Sequence, residues 1–575
     1  MRQLLPILRP YRWMALGAAL LVFAQAFSEI YLPTLMASIV DQGIVYGDTA
    51  HILRVGGVML IVTALGMAAA FVGARLASLV AVGFARDLRN RLFEHVTSFS
   101  LQEFDKVGTA TLITRSTNDV QQVQQLVFMS LRMMIRAPLM AIGGITMAVI
   151  QDARLSLLLA GVLPILAGVI WLISSRGMPL FRQVQEKLDR LNLVTREGLT
   201  GIRVVRAFNR TAYEEERFAQ ANRELTQTSI RVSRLMAAMD PSMSILMNMT
   251  IVAILWFGGV RIDHGSLQVG SMMAFIQYAT QIMFSLMMIS MILINVPRAS
   301  VSAARIAEVL SLQPEIRDPE HPVEPAESRG VVEFDNVTFY YPGAERPALS
   351  NVSFRANPGQ VTAIIGGIGS GKSTLVSLLL RFYDVTDGSI RVDGVDVRQM
   401  TQRALRERIG YVPQRALLFT GTVRENLRYG KPDATDEELV RAAEAAQAAE
   451  FIDRLDGRYE AMIAQGGTNL SGGQKQRLTI ARALVRRPKI YLFDDNFSAL
   501  DFKTDAKVRR ALSRETSDAT VIIVAQRVAT IMDADQIIVL DEGRVAGIGT
   551  HRELMASCQI YREIVASQLA EEVIA

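Results

Sequence analysis

The sequence predicts a membrane domain of six transmembrane helices fused to an α/β P-loop domain that binds a nucleotide. Two observations carry this prediction. Apolar stretches long enough to cross a bilayer fill the first half of the chain, and the second half contains a glycine-rich loop between a buried strand and a helix. The 575 residues are 50% hydrophobic, yet charge is scarce only in particular stretches. These properties indicate a two-domain membrane protein.

The predicted membrane domain covers residues 1–311. A transmembrane helix needs about 20 apolar residues, and stretches of this kind lie at 14–38, 56–82, 128–151, 155–175, 243–261 and 271–296. Long polar stretches separate the second span from the third and the fourth from the fifth, and the latter is rich in arginine. Because basic residues mark cytoplasmic loops, we expect a multi-pass protein of the inner membrane. Its N-terminus and its nucleotide domain should lie in the cytoplasm.

Other global features exclude some classes of function. The net charge of +5 follows from the basic cytoplasmic loops, and no basic stripe interleaved with aromatic residues is present, so we expect no nucleic-acid partner. The single cysteine, Cys558, precludes a disulfide within the chain, and the sequence has no Cys/His cluster for a metal. Four prolines between residues 312 and 330 predict a linker, which leaves 331–575 as the nucleotide domain.

The glycine-rich loop is a phosphate-binding loop of the form Gly366-x4-Gly371-Lys372-Ser373. Its backbone N–H groups and the following helix N-terminus would face phosphate oxygens. Lys372 would reach the β- and γ-phosphates of ATP, and Ser373 would hold Mg²⁺. Asp494 ends a hydrophobic strand and is the predicted acidic partner of Mg²⁺. The remaining candidate contacts in the loop are Gly369, Ser370 and Thr374.

A second motif lies downstream and consists of Leu470, Ser471, Gly472, Gly473 and Gln474. Ser471 and Gln474 have the spacing of a capping box, which predicts a helix start with free N–H groups and the positive end of the helix dipole. This is a second anion site, although an ordinary capped helix has the same pattern. Because the first loop already surrounds one nucleotide's phosphates, we expect the second motif to serve a nucleotide held by another subunit.

From about Val331 to the C-terminus, the sequence resembles the ATPase domain of ABC transporters. The resemblance implies that Tyr341 stacks on adenine, that Gln414 contacts Mg²⁺, and that residues 470–474 form the family signature. Asp501 would belong to the loop that crosses the dimer interface. Another class of P-loop ATPase is the alternative, but no other class combines these motifs.

The order of six spans followed by one ATPase domain resembles ABC exporters of the bacterial multidrug and lipid type. Such a chain is half of a transporter, because two ATPase domains enclose each ATP. Residues 108–119 and 206–210 resemble the two coupling regions that connect ATPase closure to the membrane spans. A solvated helical loop is the simpler interpretation of both.

Two positions depart from the family pattern. Active members carry Glu after the strand-ending Asp and His at the switch position, whereas this chain has Asp495 and Gln526. With Lys372, these residues are the catalytic candidates of a site that should bind ATP and hydrolyse it poorly. The intact signature would complete a hydrolysing site on a different half-transporter that carries Glu and His. The sequence therefore resembles the degenerate subunit of a heterodimeric exporter.

The substrate is the least determined feature. Met, amide and aromatic side chains recur at helical spacing along span six, which suits a cavity for small amphipathic molecules: Met273, Gln277, Gln281, Phe284, Met288, Met291 and Asn295. A similar methionine row enters span five at residues 236–247. Helix packing explains both rows equally well. Glu29 lies well inside span one and requires a partner or water, so it is either a structural ion-pair member or a substrate contact.

The sequence thus predicts ATP-driven export of amphipathic drugs or lipids. Two alternatives remain open at this stage. An importer with the exporter fold, for example for a siderophore, would differ in transport direction. An ATP-gated channel or regulatory subunit would show nucleotide-dependent current without substrate-stimulated ATP hydrolysis.

Overall fold

A computed structural model describes the backbone of residues 2–574, without the side chains of residues 2, 3, 174, 290, 291, 293, 294, 499, 502 and 569–574. The chain divides into two compact units. The first comprises Met1–Thr97 and Ala110–Leu312, and the second comprises Ser98–Thr109 and Gln313–Ala575.

Helices make up the first unit. In chain order, with α3 belonging to the second unit, they are α1 (Arg12–Ser38), α2 (Thr49–Thr97), α3 (Leu101–Val107), α4 (Thr109–Thr114), α5 (Val120–Gln151), α6 (Ser156–Thr200), α7 (Ile202–Ala207), α8 (Thr211–Ala237), α9 (Met239–Asp263) and α10 (Val269–Ser311). A 3₁₀ segment, Arg2–Tyr11, precedes them, and π turns lie at Ile39–Ile44 and Arg115–Asp119. Within the described residues, six helical stretches are long and apolar enough to cross a membrane, which confirms the predicted number of spans.

The helices extend well beyond the predicted spans. Helix α2 has 49 residues and α6 has 45, whereas a bilayer needs about 20. Small residues let neighbouring helices approach closely. A Cβ atom added at Gly73 of α2 would lie 3.2 Å from the Leu21 Cβ of α1, and one at Gly66 would lie 3.0 Å from Ser28. Van der Waals packing through small residues is the usual basis of helix association in lipid.

Buried polar groups also join helices α1 and α10. The Tyr278 hydroxyl lies 2.7 Å from the Thr34 hydroxyl oxygen and 3.0 Å from the Ile30 carbonyl. The Asp41 carboxylate accepts hydrogen bonds from the backbone N–H groups of Gly270 and Ser271 at 2.6 and 3.0 Å, where α10 begins. Each bond supplies a partner to a group that would be costly to leave unpaired in an apolar environment.

The second unit is an α/β domain with twelve strands: β1 (Val332–Phe339), β2 (Leu349–Ala356), β3 (Val361–Gly366), β4 (Asp387–Val392), β5 (Val395–Asp396), β6 (Ile409–Val412), β7 (Gly421–Thr422), β8 (Met462–Ile463), β9 (Ile490–Asp494), β10 (Thr520–Val524), β11 (Gln536–Asp541) and β12 (Arg544–Gly549). Strands β2-β1-β4-β5 form an antiparallel sheet. Strands β12-β11-β3-β10-β9-β6 form a second sheet that is parallel except for β12, and β7 and β8 pair separately.

The helices of this unit cover the parallel sheet. They are α11 (Lys372–Leu379), α12 (Gln402–Glu407), α13 (Val423–Arg428), α14 (Asp436–Ala445), α15 (Ala449–Ile452), α16 (Gly472–Arg486), α17 (Phe502–Glu515), α18 (His551–Ser557) and α19 (Gln559–Ile574). Alternate side chains of the parallel strands enter two cores. Ile364 packs in the core with the antiparallel sheet and α11, whereas Ala363 and Ile365 pack in the other core with α14, α16 and α17. This arrangement fixes both ends of strand β3, where the glycine-rich loop begins.

One segment is placed differently from the sequence prediction. The predicted membrane domain, 1–311, includes residues 98–109, and the predicted first coupling region covers 108–119. In the structure, Ser98–Thr109 groups with the second unit. Within that unit, the Glu103 carboxylate accepts a hydrogen bond from the Glu315 N–H at 3.3 Å, and the Tyr383 hydroxyl donates to Asp105 at 3.2 Å. Burial is the larger cause and the nearby Asp105 charge the next, and they raise the pKa of Tyr383 to about 12. Such contacts join distant parts of the chain, so composition could not reveal them.

Candidate functional site

The phosphate-binding loop connects β3 to α11 and requires glycine at both ends. Gly371 has a φ angle of 97°, in the left-handed region, and an added Cβ would lie 2.5 Å from the Leu349 side chain. A Cβ at Gly366 would lie 2.2 Å from the Leu540 carbonyl oxygen. The loop backbone therefore passes directly against neighbouring backbone, which gives it the tight curvature that phosphate binding needs.

Lys372 lies within this curve. Its Nζ donates to the carbonyl oxygens of Gly366 and Gly367 at 2.8 and 2.7 Å. Burial lowers the pKa of Lys372, while the Asp495 and Asp494 carboxylates oppose that shift. The ammonium is held by neutral carbonyls, so it is placed to bind an anion such as a phosphate oxygen.

Two carboxylates lie beside the loop. Asp494 ends β9 and is buried, and burial together with the neighbouring Asp495 charge raises the pKa of Asp494 to about 6, against the opposing effect of Lys372. The Asp495 carboxylate accepts a hydrogen bond from the Gln414 side-chain amide at 3.2 Å. Asp495 itself has a φ angle of 48°, a conformation that Asp and Asn adopt more readily than longer side chains.

The loop lines a cavity of about 560 Å³ with residues from distant parts of the domain. Tyr341 and Gln526 are among them. The Tyr341 hydroxyl lies 3.0 Å from the Thr374 hydroxyl, and its ring packs edge-on to Phe339 at 4.9 Å between centroids. The structure thus brings the predicted adenine contact, the loop and the switch residue to one cavity.

These residues fit ATP and Mg²⁺. The Asp494 carboxylate, the exposed Ser373 hydroxyl and the Gln414 amide are oxygen donors of the kind that Mg²⁺ prefers. In ATP-dependent proteins, one or two carboxylates and the substrate phosphates usually hold Mg²⁺. When bound, the cation would neutralise charge on the phosphates, and Lys372 and the loop N–H groups would orient them.

The second motif forms the predicted capped helix start. Ser471 Oγ accepts from the Gln474 N–H at 3.3 Å, and the Gln474 side chain accepts from the Ser471 N–H at 2.8 Å. Helix α16 then runs for 15 residues. Leu470 is buried and anchors the turn, whereas Ser471 and Gly472 are exposed and Gly473 is half-buried. This helix N-terminus is accessible to an anion outside the unit.

Asp501 also caps a helix. Its side chain accepts a hydrogen bond from the Thr504 N–H at 2.9 Å at the start of α17, and hydrogen bonding to the side chain and then to the backbone N–H of Thr504 lowers the pKa of Asp501. The cap accounts for the local geometry of Asp501, and its role at a dimer interface stays a prediction.

A second cavity, of about 470 Å³, lies in the membrane unit. Glu29 of α1 lines it together with four residues of the predicted span-six row, Gln277, Gln281, Phe284 and Met288. The other lining residues are Leu32, Pro33, Arg136, Met140, Thr280 and Ser285. The cavity therefore combines an apolar wall with a small number of polar groups, as ligand sites do.

The remaining members of the row are placed elsewhere. Met273 is exposed and lies outside this lining, and Asn295 is half-buried farther along α10. The Met291 side chain lies outside the described residues. In the span-five row, Met243 is buried and packs with Leu166 and Met283, so helix packing explains that residue.

Sequence reasoning missed two residues at these sites. Arg136 lies within the third predicted span and pairs with Glu29 at 2.7 Å, and a basic residue inside an apolar span was the available signal. Gln568 of α19 accepts from the Val528 N–H at 2.7 Å and donates to the Gln526 carbonyl at 2.6 Å. Gln568 thus holds the backbone of the switch segment although it lies 42 positions from Gln526 in the chain. No local sequence pattern predicts this contact.

Comparisons with known proteins agree with both units. The model of the ABC transporter transmembrane region matches residues 15–286, and the ABC transporter model matches residues 349–498. The chain is 48% identical to an ABC transporter ATP-binding protein of Mycobacterium tuberculosis, over 98% of this chain and 97% of the relative. It is 41% identical to an ABC transporter ATP-binding protein of Bacillus subtilis, over 100% and 99% of the two chains.

One solved structure resembles the whole chain. It is a bacterial Atm1-family ABC exporter with ATP bound, and it matches with a TM-score of 0.78 and 28% sequence identity. The match covers 97% of this chain and 98% of that chain.

Proposed function

The chain belongs to the ABC transporters, and we propose that it is the subunit with the weaker ATP site in a heterodimeric exporter of amphipathic molecules. Members bind ATP with Mg²⁺ and couple its hydrolysis to transport, and this chain has the exporter fold with the ATPase domain on the same polypeptide. One observation carries the proposal. Gln526 lines the cavity of the phosphate-binding loop, and Asp495 directly follows Asp494, so these two residues stand where active members carry His and Glu, whereas the signature helix is complete.

The Asp495 side chain is one methylene shorter than glutamate. Its carboxylate therefore lies closer to the backbone than a glutamate carboxylate by up to one bond length, about 1.5 Å. Misplacement of a catalytic group by about 1 Å can reduce a rate 100-fold. The Gln414 amide also donates to the Asp495 carboxylate, and Asp495 is buried and is not among the residues that line the cavity. Asp495 is thus a poor candidate to orient an attacking water.

Gln526 lines the cavity with a neutral amide. It can donate a hydrogen bond to a phosphate, but it cannot carry the positive charge that a histidine provides when charge develops in the transition state. Two weakened positions in one site support ATP retention rather than turnover.

Exposed apolar residues support assembly with a second subunit. Val204 of α7, Phe208 of the segment between α7 and α8, and Tyr213 of α8 have relative exposures of 60%, 74% and 56% and line a surface cavity of about 510 Å³. Clustered exposed apolar side chains of this kind mark an interaction site. We infer that a partner ATPase domain covers them, as the resemblance of residues 206–210 to a coupling region implies.

The proposed orientation has a direct test. Tyr46 is 77% exposed between α1 and α2, and Leu193 of α6 is 53% exposed on the predicted cytoplasmic side. The native Cys558 is buried. A membrane-impermeant maleimide should label Tyr46→Cys in intact cells and Leu193→Cys only after permeabilisation. The reverse pattern would contradict the orientation.

The transport proposal requires a partner. The chain should copurify with a different half-transporter that has Glu and His at the positions of Asp495 and Gln526. Inverted membrane vesicles containing both should accumulate a fluorescent amphipathic probe in an ATP-dependent manner, whereas vesicles containing this chain alone should not. Equal accumulation with this chain alone would overturn the heterodimer, and uptake only into right-side-out vesicles would indicate an importer.

A further inference from the structure

We propose that the membrane cavity binds the head group of an anionic amphiphile, a carboxylate or phosphate attached to an apolar chain, through Arg136. This inference rests on the proposed function and specifies its substrate class. The charged groups in the cavity are the Glu29 carboxylate and the Arg136 guanidinium, whose side chains are each 30% exposed. The question is which of the two has hydrogen-bonding capacity left for a ligand.

The Glu29 carboxylate already has several donors. Arg136 Nη2 lies 2.9 Å from Oε1 and 2.7 Å from Oε2, and Gln25 donates to Oε1 at 2.9 Å. A cationic ligand would have to displace these contacts to reach Glu29. Separating the ion pair in a membrane interior is unfavourable, because each charge loses its partner where water is scarce.

The Arg136 guanidinium has N–H donors that Glu29 does not use. Both contacts to Glu29 come from Nη2 alone, so the pair does not use the two-nitrogen fork of the guanidinium. The Nε atom is buried and has no hydrogen-bond partner among the described residues, so a ligand in the cavity does not reach it directly. The Nη1 atom also has no hydrogen bond to a described residue and is not among the buried atoms. A carboxylate or phosphate oxygen could therefore bind Nη1 of Arg136 while the contact with Glu29 persists.

Gln281 defines a second feature of the head group. Its Nε2 donates to the Glu29 backbone carbonyl at 3.2 Å, whereas its Oε1 is buried without a partner among the described residues. An unpaired amide oxygen selects a ligand that donates a hydrogen bond. The head group thus presents an anionic oxygen to Arg136 and a neighbouring hydroxyl or ammonium to Gln281.

The rest of the lining suits an apolar chain. Phe284 is 55% exposed, and Leu32, Met140 and Met288 contribute flexible apolar surface. The Thr280 and Ser285 hydroxyls donate to carbonyls of their own helix, at 2.9 and 2.7 Å. Their hydrogen atoms are therefore already used, and Arg136 and Gln281 determine the specificity.

The test uses equilibrium binding to the full chain in nanodiscs, together with any subunit that copurifies. Four probes share one pyrene-labelled twelve-carbon chain and end in a carboxylate, a phosphate, an alcohol or a trimethylammonium group. Saturable binding above that of empty nanodiscs is measured without ATP. Both anionic probes should bind at least about tenfold more tightly than the alcohol and the cation, as expected for a charge-assisted hydrogen bond.

Substitutions identify which residues cause the preference for anionic probes. Arg136→Gln should remove the preference for anions, and Arg136→Lys, which keeps the charge and the ion pair, should keep part of it. Glu29→Gln should preserve or increase anion binding, because it releases Nη2. A fifth probe carries a hydroxyl next to its phosphate and should bind the wild type roughly threefold more tightly than the plain phosphate probe, and Gln281→Leu should remove this advantage. Met273→Leu, outside the lining on the same helix, is the matched control and should bind like the wild type.

Several results would overturn the proposal. One is that the cationic probe binds most tightly and that Glu29→Gln weakens its binding. The others are that Arg136→Gln leaves the anion preference unchanged, or that Met273→Leu loses this preference to the same extent as Arg136→Gln. The carboxylate and phosphate arms distinguish fatty-acid-like from phospholipid-like ligands. Because binding is measured without ATP, these results are independent of whether the chain exports its ligand, so failure here leaves the proposed transport function standing.

Discussion

The phosphate-binding loop and the signature helix of this chain are both completely formed, but they differ in the side chains beside them. The loop from Gly366 to Ser373 has the backbone curvature for phosphate, and the signature helix has a complete capping box at Ser471. The site of the loop departs from the family pattern at Asp495 and Gln526. On the proposed account, phosphate recognition depends on the backbone and Lys372, whereas hydrolysis depends on the length and charge of two side chains. The account therefore predicts that ATP binding and ATP turnover can be separated within one folded site.

The largest expected effect comes from the intact region. Gly473→Glu should reduce ATP hydrolysis and transport by the heterodimer about 100-fold or more, because it places bulk and negative charge at the helix N-terminus that faces the partner's ATP. Steady-state phosphate release by the copurified pair measures this. Near-normal transport by the variant would mean that this signature does not serve the working site.

Restoring the altered region should give the next largest effect. Asp495→Glu with Gln526→His should raise hydrolysis at this chain's own site at least about tenfold, and either change alone should do little, since such groups act as a unit. Recovery should be partial, because the backbone at position 495 has a φ angle of 48°, which glutamate adopts less readily than aspartate. The partner's catalytic Glu is neutralised in the assay so that turnover reports this site. Background turnover in the double variant, with the partner's signature intact, would place the defect elsewhere.

Disabling the loop in the otherwise native pair should have a smaller effect. Lys372→Ala removes the loop's cation and should abolish ATP retention by this chain, yet it should lower total hydrolysis only about threefold, because the partner's site carries most of the turnover. ATP occlusion and phosphate release are measured on the same preparation. If Lys372→Ala and Gly473→Glu reduce hydrolysis equally, the proposed asymmetry is wrong.

The smallest expected effect concerns Gln568, a positioning residue. Its side chain bonds the carbonyl of Gln526 and the N–H of Val528, so Gln568→Leu should speed ATP release from this chain roughly twofold, the value of one weak net hydrogen bond. Gln559→Leu is the matched control on the same helix, because the Gln559 side chain donates to Glu563 of its own helix and does not line the cavity. Equal release rates in the two variants would show that Gln568 does not hold the switch segment.

Local features of both units could be predicted from the sequence. The six spans follow from apolar length, the phosphate loop follows from glycines that its backbone requires, and the capped start of α16 follows from the Ser471 and Gln474 spacing. Each depends on residues close together in the chain. Their physical requirements are therefore visible without the fold.

Features that depend on distant residues could not be predicted. Arg136 and Glu29 are 107 positions apart, and helix packing decides that they pair. The grouping of Ser98–Thr109 with the second unit likewise depends on Glu315 and Tyr383. In the span-six row, helical spacing could not show that Gln277, Gln281, Phe284 and Met288 share a cavity while Met273 lies outside it.

The most direct test of the asymmetric account is the rate of phosphate release by the chain purified alone, compared with the chain copurified with its partner. The account predicts a rate far below about 1 s⁻¹, the lower end of ordinary enzyme turnover, for the chain alone. It predicts turnover within the ordinary range for the pair, lost when the partner's catalytic Glu is replaced by Gln. A rate of about 1 s⁻¹ or more from the chain alone would contradict it, because Asp495 and Gln526 would then support hydrolysis without a second, different subunit.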